Sequence, residues 1–180
     1  MSILPLLALL LGLRVAISDL YARRVPNLWL GIALLAAALW LVQDWAFGSG
    51  APPWPNLGGL ALGLAALLPF HLLRMMGAGD VKYFAVIGFL LGWQALLPIW
   101  VVASLLAGLH AACILLVRSA GARLPALQLA SMRLQSRMQV RPWWQAMHSA
   151  RSGRVGIPYA AYLAAGTFCQ IFMLTDGWPA

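Results

Sequence analysis

Long apolar runs dominate this 180-residue sequence and constrain its fold more than any other feature. Each run comes close to the roughly 20 residues that an α-helix needs to cross a bilayer. Backbone polar groups must be paired inside lipid, so such runs are expected to be helical. We therefore predict an all-α, polytopic membrane protein of about six transmembrane helices, at 2–18, 28–46, 56–73, 82–98, 99–117 and 156–174. The fourth and fifth runs nearly meet at Pro98, so five spans are the main alternative.

The composition excludes an ordinary soluble domain. Hydrophobic residues make up 63% of the chain and charged residues only 9%, against about 25% in soluble proteins. The net charge of +8 would point to nucleic acid in a soluble protein. Basic residues also collect in the cytoplasmic loops of membrane proteins, however. We therefore predict contact with membrane lipid and no nucleic-acid partner.

The basic residues alternate between loops and predict an orientation. The loops after the first, third and fifth runs are basic, whereas 43–55 and 93–98 contain no basic residue. Positive charge resists translocation, so the basic loops are expected in the cytoplasm and both termini in the periplasm. Arg23 and Arg24, in the first loop, are interpreted as orientation signals rather than catalytic groups.

The fifth loop, Arg118 to Arg154, carries seven arginines and contains an amphipathic segment. One helical sector of this segment is apolar, and the adjoining sector is basic: Leu124, Leu127, Leu134 and Met138 form the first, and Arg123, Arg133, Arg137 and Arg141 the second. This pattern predicts a cytoplasmic amphipathic helix between the last two spans, lying on anionic lipid and ending before Pro142. A docking surface for a partner protein is the alternative.

Metal and cofactor sites have no support in the sequence. Cys113 and Cys169 lie inside apolar runs, and no C-x-x-C pair exists. The three histidines, His71, His110 and His148, are scattered along the chain. No internal repeat or long linker divides residues 1–180, which we interpret as a single membrane-embedded domain without a metal or cofactor.

Two of the four acidic residues stand out. Asp44 and Asp176 fall in predicted periplasmic segments, whereas Asp19 and Asp80 lie beside apolar sequence where helices meet the cytoplasmic face. An ionisable group at membrane depth is costly unless it is paired or wetted, which suggests a function. Two adjacent carboxyls share a proton, so one activates water while the other donates to a carbonyl, as in aspartic proteases.

The residues alone leave other roles for this pair open. Asp19 and Asp80 could instead form structural ion pairs with Arg23 or Lys82, or bind a cation. In that case the chain would be a small membrane transport protein or an assembly protein that uses the aspartates for ion binding or structure.

The surrounding motifs favour the catalytic interpretation. Asp19 is followed by Pro26-Asn27, Asp80 lies within Gly77-Ala78-Gly79-Asp80-Val81-Lys82, and Ile157-Pro158-Tyr159 precedes the last span. In these segments the sequence resembles the type IV prepilin peptidases, membrane aspartyl proteases of the GxGD class. Ala160 departs from the glycine that usually follows the third segment.

The resemblance implies an aspartic endopeptidase of the bacterial inner membrane with Asp19 and Asp80 as its catalytic pair. It also implies that Gly77 and Gly79 shape the approach of the substrate backbone. The expected substrates are prepilins or pseudopilins, whose basic leader is cut after a glycine at the cytoplasmic face. The chain is most similar to the short, peptidase-only branch associated with Flp (tight-adherence) pili, without a methyltransferase domain, and pilus assembly machinery is a possible partner.

Two further residues of these motifs have open roles. Lys82 is expected either to bias the ionisation of the aspartate pair or to bind phospholipid. Asn27 is expected either to hydrogen-bond near the site or only to begin the second helix.

Overall fold

The computed structural model describes residues 3–48, 52–123, 129, 132–133, 136–137, 139–151 and 157–175. Within these ranges the chain is helical and contains no strand, which confirms the all-α prediction. The helices are α1 (Leu4–Ala22), α2 (Asn27–Ala46), α3 (Trp54–Leu72), α4 (Ala78–Leu91), α5 (Leu96–Arg123), α6 (Pro142–Arg151) and α7 (Tyr159–Thr175). A short 3₁₀ turn, Trp93–Ala95, joins α4 to α5.

The apolar helices differ in length more than the sequence predicts. Among the described residues, four helical segments are long and apolar enough to cross a membrane: α1, α2, α3 and the segment Trp93–Ser119. Helix α4 has only 14 residues, or about 21 Å, against a hydrocarbon thickness of about 30 Å. Helix α7 is also apolar but shorter than these four. The count of six comparable spans therefore stays a prediction.

The break between the fourth and fifth helices lies earlier than predicted. Gly92 ends α4 with a φ of 83°, a conformation that glycine adopts without steric cost. Pro98, where the sequence suggested the turn, lies inside the first turn of α5. Proline is tolerated there because the first amides of a helix have no intrahelical acceptor. The predicted boundary between the fourth and fifth spans, at 98–99, was therefore too late, although the observed turn lies within the predicted uncharged loop 93–98.

Short helix α4 forms the centre of the bundle. Nine of its residues are buried, from Val81 through Leu90 with only Lys82 exposed in that stretch. It packs most extensively against α3 and also contacts α1, α2, α5 and α7. Helix α7 in turn packs against α1 and α5. The arrangement brings the first turn of α4 close to the ends of α1 and α7.

Glycines allow the close contact between α3 and α4. A Cβ atom on Gly59 would overlap the carbonyl group of Gly88, and a Cβ on Gly88 would overlap the carbonyl of Gly59. A Cβ on Gly63 would lie 2.9 Å from the Cα of Ala85. Gly59 and Gly63 thus have the packing role that small residues play between membrane helices. Gly58, in contrast, faces open space.

One face of α1 is buried and the other is exposed and apolar. The buried stripe runs along one helical face through Leu4, Ala8, Leu11, Val15 and Asp19, while Leu6, Leu10, Leu13 and Ile17 are about half exposed. An exposed face this apolar suits lipid rather than water. Asp19 therefore belongs to the inward stripe of its helix.

The predicted amphipathic helix between Arg123 and Arg141 lies mostly outside the described residues and stays a prediction. Residues 140–141 form a turn, and Pro142 begins the separate helix α6. Helix α6 packs against α1.

Candidate active site

A cleft of about 830 Å³ opens at one end of the bundle. Its walls come from three segments that are distant in sequence. These are the end of α1 with the loop that leads into α2, the start of α4, and the entry into α7 with its first residue. The lining residues are Ser18, Asp19, Ala22, Arg23, Arg24, Val25, Pro26, Asn27, Gly77, Ala78, Gly79, Asp80, Lys82, Ile157 and Tyr159. All six residues that the sequence singled out, Asp19, Asn27, Gly77, Gly79, Asp80 and Lys82, thus line one cleft.

Asp19 lies in the last turn of α1 and is only 7% exposed. Its Oδ2 atom accepts a hydrogen bond of 3.1 Å from the backbone amide of Ala161 in α7. Its backbone carbonyl accepts the amide of Arg23, which ends α1 in a left-handed conformation (φ 54°). Helix α1 continues through Asp19 to Ala22, beyond the predicted end of the first run at residue 18.

Asp80 is the third residue of α4, whose first turn begins directly after the extended residue Gly77. Its side chain is half-buried. Its backbone amide donates to the Gly77 carbonyl at 3.1 Å. Burial, and then the negative charge of Asp19, raise the pKa of Asp80 to about 7. The Ala160 amide faces the carboxyls of both aspartates. Asp19 and Asp80 are therefore electrostatically coupled.

The two glycines of the second motif have different surroundings. A Cβ on Gly79 would lie 2.9 Å from the Cβ of Val25, so the loop between α1 and α2 packs directly on this glycine. A Cβ on Gly77 would lie 3.3 Å from Oδ2 of Asp80. The close approach at Gly79 is thus made by the chain itself, through Val25. Whether either glycine also shapes a substrate stays a prediction.

Lys82 and Asn27 connect α4 to α2 at the rim of the cleft. The Lys82 Nζ donates to Oδ1 of Asn27 at 3.4 Å, a long hydrogen bond. Asn27 is the first residue of α2 and also hydrogen-bonds at the rim of the cleft, so both expectations for it stay open.

Arg151, at the end of α6, binds the end of α1 beside Asp19. Its Nη2 donates to the Leu20 carbonyl at 2.7 Å and its Nε to the Tyr21 carbonyl at 3.3 Å. A cation at a helix C-terminus is favourable because the last carbonyls carry partial negative charge. Burial, and then the charge of Arg151, lower the pKa of Arg23. Sequence reasoning missed this contact, which joins segments about 130 residues apart.

Two hydrogen bonds join α5 to the start of α7. The Ser104 hydroxyl lies 3.1 Å from the Tyr159 hydroxyl, and the His110 Nδ1 lies 2.7 Å from the Tyr162 hydroxyl. His110, one of the three scattered histidines, thus has its hydrogen-bond partner in α7. The described residues contain no group of three His, Cys, Asp or Glu side chains that could hold a metal ion.

Comparison with known proteins identifies the first part of the chain. Residues 6–112, well over half of the 180, match the type IV leader peptidase family. The matched segment contains Asp19 and Asp80 but ends before α7. No curated protein and no solved structure gives a significant match.

Proposed function

The chain belongs to the type IV leader peptidase family, and on that premise we propose that it is an aspartic endopeptidase whose catalytic pair is Asp19 and Asp80. Membership of the family, together with the long apolar helices, makes the protein an integral membrane peptidase. The aspartic mechanism is supported by one observation above all. Two carboxyls, from α1 and α4, line the same cleft, and the charge of Asp19 helps to raise the pKa of Asp80.

In the proposed mechanism the pair holds one proton. The raised pKa favours Asp80 as the protonated member, with Asp19 ionised. The Asp19 carboxylate takes a proton from a water molecule, whose oxygen attacks the scissile carbonyl carbon. Asp80 donates its proton to the carbonyl oxygen, which gives a tetrahedral intermediate. Asp19 then gives its proton to the amide nitrogen while Asp80 takes a proton from a hydroxyl of the intermediate. The C–N bond breaks, and both carboxyls return to their starting protonation states.

We further propose that the substrates are prepilins or pseudopilins with a basic leader, cut after a glycine at the cytoplasmic face of the inner membrane. Support for the face comes from the basic residues Arg23, Arg24 and Lys82, which line the cleft and by the positive-inside rule belong to the cytoplasm. The same cations repel a basic leader. The leader is therefore expected to be held by anionic headgroups beside the cleft, with the apolar segment of the substrate in the bilayer.

The alternative of a cation site at the aspartate pair is disfavoured by charge. Three cations and two carboxylates line the cleft, so its net charge is positive when Asp19 and Asp80 are both ionised. A cation site needs an excess of acceptors instead. A structural ion pair of Asp80 with Lys82 is likewise disfavoured, because the Lys82 ammonium is directed to Asn27.

The test is cleavage of a synthetic prepilin-like peptide by the purified full-length protein in liposomes containing anionic lipid. The peptide carries a basic leader, a glycine and an apolar helix, and mass spectrometry locates the cut. The account predicts a single cut after the glycine. A matched peptide with isoleucine in place of that glycine is expected to stay intact, as is the first peptide with the Asp80→Asn protein. Equal cleavage of both peptides, or cleavage by Asp80→Asn, would contradict the proposal.

A further inference from the structure

The first turn of α7 hydrogen-bonds to the Asp19 carboxyl and lies beside that of Asp80, although it falls beyond the segment that matches the family. The Ala161 amide donates to Asp19 at 3.1 Å, and the Ala160 amide faces Asp19 and Asp80 together. The first amides of a helix have no intrahelical acceptor and carry partial positive charge. They are therefore suited to bind carboxylates that approach from other helices.

The position of this turn is set from α5, a helix that contributes no residue to the cleft. The Tyr159 side chain lines the cleft, and its hydroxyl bonds to the Ser104 hydroxyl at 3.1 Å. Further along, α7 packs tightly on α5, because a Cβ on Gly166 would lie only 2.6 Å from the Ile99 carbonyl oxygen. The Tyr159 amide also bonds back to the Ile157 carbonyl at 2.9 Å, which fixes the entry into the helix.

We infer that Tyr159 and Ser104 are positioning residues of the peptidase, which hold the Ala160 and Ala161 amides against the aspartate pair. This inference rests on the proposed catalytic role of Asp19 and Asp80. The hydrogen bond between Tyr159 and Ser104 keeps the first turn of α7 at the distance that the two carboxyls require. Without it, the turn can shift along α5 and the amides lose their alignment with Asp19.

The expected consequence is a change in chemistry rather than in substrate binding. Amide donors stabilise the ionised carboxylate, so their loss makes ionisation of the pair harder. The other groups beside the pair are Arg23 at the end of α1, Arg151 on α6, Tyr159 and Tyr162 on α7, and Arg24 and Lys82 on the cleft wall. Tyr159→Phe removes a hydroxyl near Asp80, whereas Ser104→Ala leaves all of these groups in place. A shift of the pH–rate profile in Ser104→Ala therefore reports on the amides.

The test compares Tyr159→Phe, Ser104→Ala and the double variant in the liposome cleavage assay. Each single change is expected to lower kcat about fivefold to tenfold, the effect of one hydrogen bond, with KM within about twofold of wild type. The double variant is expected to match the single variants, because both remove the same bond. The acidic limb of the pH–rate profile should move to higher pH. Ser119→Ala is the matched control, since this exposed α5 hydroxyl bonds only to its own helix, at Leu116.

A second pair of variants tests the amide directly. Ala161→Pro removes the N–H that Asp19 accepts, at a position in the first helical turn where proline is tolerated. Ala161→Gly keeps that N–H. The inference predicts a much lower kcat for the proline variant than for the glycine variant, at similar thermal stability in detergent.

The outcomes separate this inference from the proposed function. If wild type fails to cut any glycine-containing substrate, the proposed function falls and the inference falls with it. If wild type cuts but the Tyr159 and Ser104 variants keep its kcat and pH profile, the inference alone is wrong. It is also wrong if the effects of the two single changes simply add, or if Ala161→Pro and Ala161→Gly behave alike.

Discussion

The Oδ2 atom of Asp19 accepts a hydrogen bond of 3.1 Å from the backbone amide of Ala161, 142 positions later in the chain. The contact joins the first helix of the bundle to the last. Asp80 approaches the same turn from α4, so three helices meet at the two carboxyls. The site therefore depends on the docking of α7, a helix whose own sequence contains no acidic residue.

The raised pKa of Asp80 predicts that its removal stabilises the protein at alkaline pH. Its pKa rises from 3.8 to about 7 on folding, so the folded state binds the proton more tightly. The contribution of Asp80 to the free energy of unfolding is therefore fully present below pH 3.8 and is lost as pH rises through about 7. A shift of this size corresponds to at most about 4 kcal/mol. Asp80→Asn is expected to raise Tm by several degrees at pH 8 and by less at pH 5.

Differential scanning fluorimetry in detergent checks this at both pH values. Asp44→Asn, which removes a carboxyl at the opposite end of α2, is the control and is expected to lack the pH-dependent gain. A Tm of Asp80→Asn at or below that of wild type at pH 8 would contradict the assignment.

The same group predicts how activity depends on pH. If Asp80 is the protonated member of the pair, activity falls as pH rises through about 7 and the proton is lost. Initial cleavage rates in liposomes between pH 5 and 9 measure this. A rate that is constant or still rising between pH 7 and 9 would exclude Asp80 as the proton donor.

The glycine contact between α3 and α4 predicts a sharp difference between neighbouring positions. Gly59→Ala places a methyl group inside the Gly88 carbonyl and forces the helices apart, at a cost of about 1–3 kcal/mol or more. Gly58→Ala meets open space and is expected to be neutral or stabilising, because alanine favours helices over glycine by up to about 1 kcal/mol. Thermal unfolding of both variants decides the matter. Equal Tm values would mean that α3 and α4 do not pack as described.

Arg151 is expected to hold α6 against α1. Arg151→Ala removes two hydrogen bonds to the carbonyls of Leu20 and Tyr21, and bonds to a charged donor contribute about 1.5–3 kcal/mol each. Hydrogen exchange of the α6 amides should therefore accelerate at least about tenfold. Arg141→Ala, just before α6, is the control and should leave exchange unchanged. Slow exchange retained in Arg151→Ala would show that other contacts hold α6.

The aspartates could be recognised from the sequence for a local reason. An acid in apolar sequence is costly, and the helical period of α1 places Asp19 in line with buried Ala8 and Val15. Gly77 and Gly79 beside Asp80 marked the second half of the site. These signals depend only on residues within a few helical turns, which is why they survive in a single sequence.

Features that depend on distant contacts were not predictable in the same way. The amides of Ala160 and Ala161 carry no side-chain signal, and Ser104 and His110 resemble ordinary polar residues within apolar helices. The boundary between the fourth and fifth spans was placed at Pro98 rather than at Gly92. Proline is tolerated in the first turn of a helix, so Pro98 does not mark the break. The shortness of α4 follows from that same break. Only the packed structure brings Ser104 and His110 to the start of α7.

The aspartate-pair mechanism is tested most directly by cleavage with single aspartate variants reconstituted in liposomes. Asp19→Asn and Asp80→Asn keep side-chain size but remove the carboxyl, and with it the shared proton and the negative charge of the pair. Each change is expected to abolish cleavage after glycine while the protein stays folded, and Asp44→Asn is expected to retain wild-type activity. Cleavage surviving in either Asp19→Asn or Asp80→Asn would remove that residue from the chemistry and contradict the aspartate-pair mechanism.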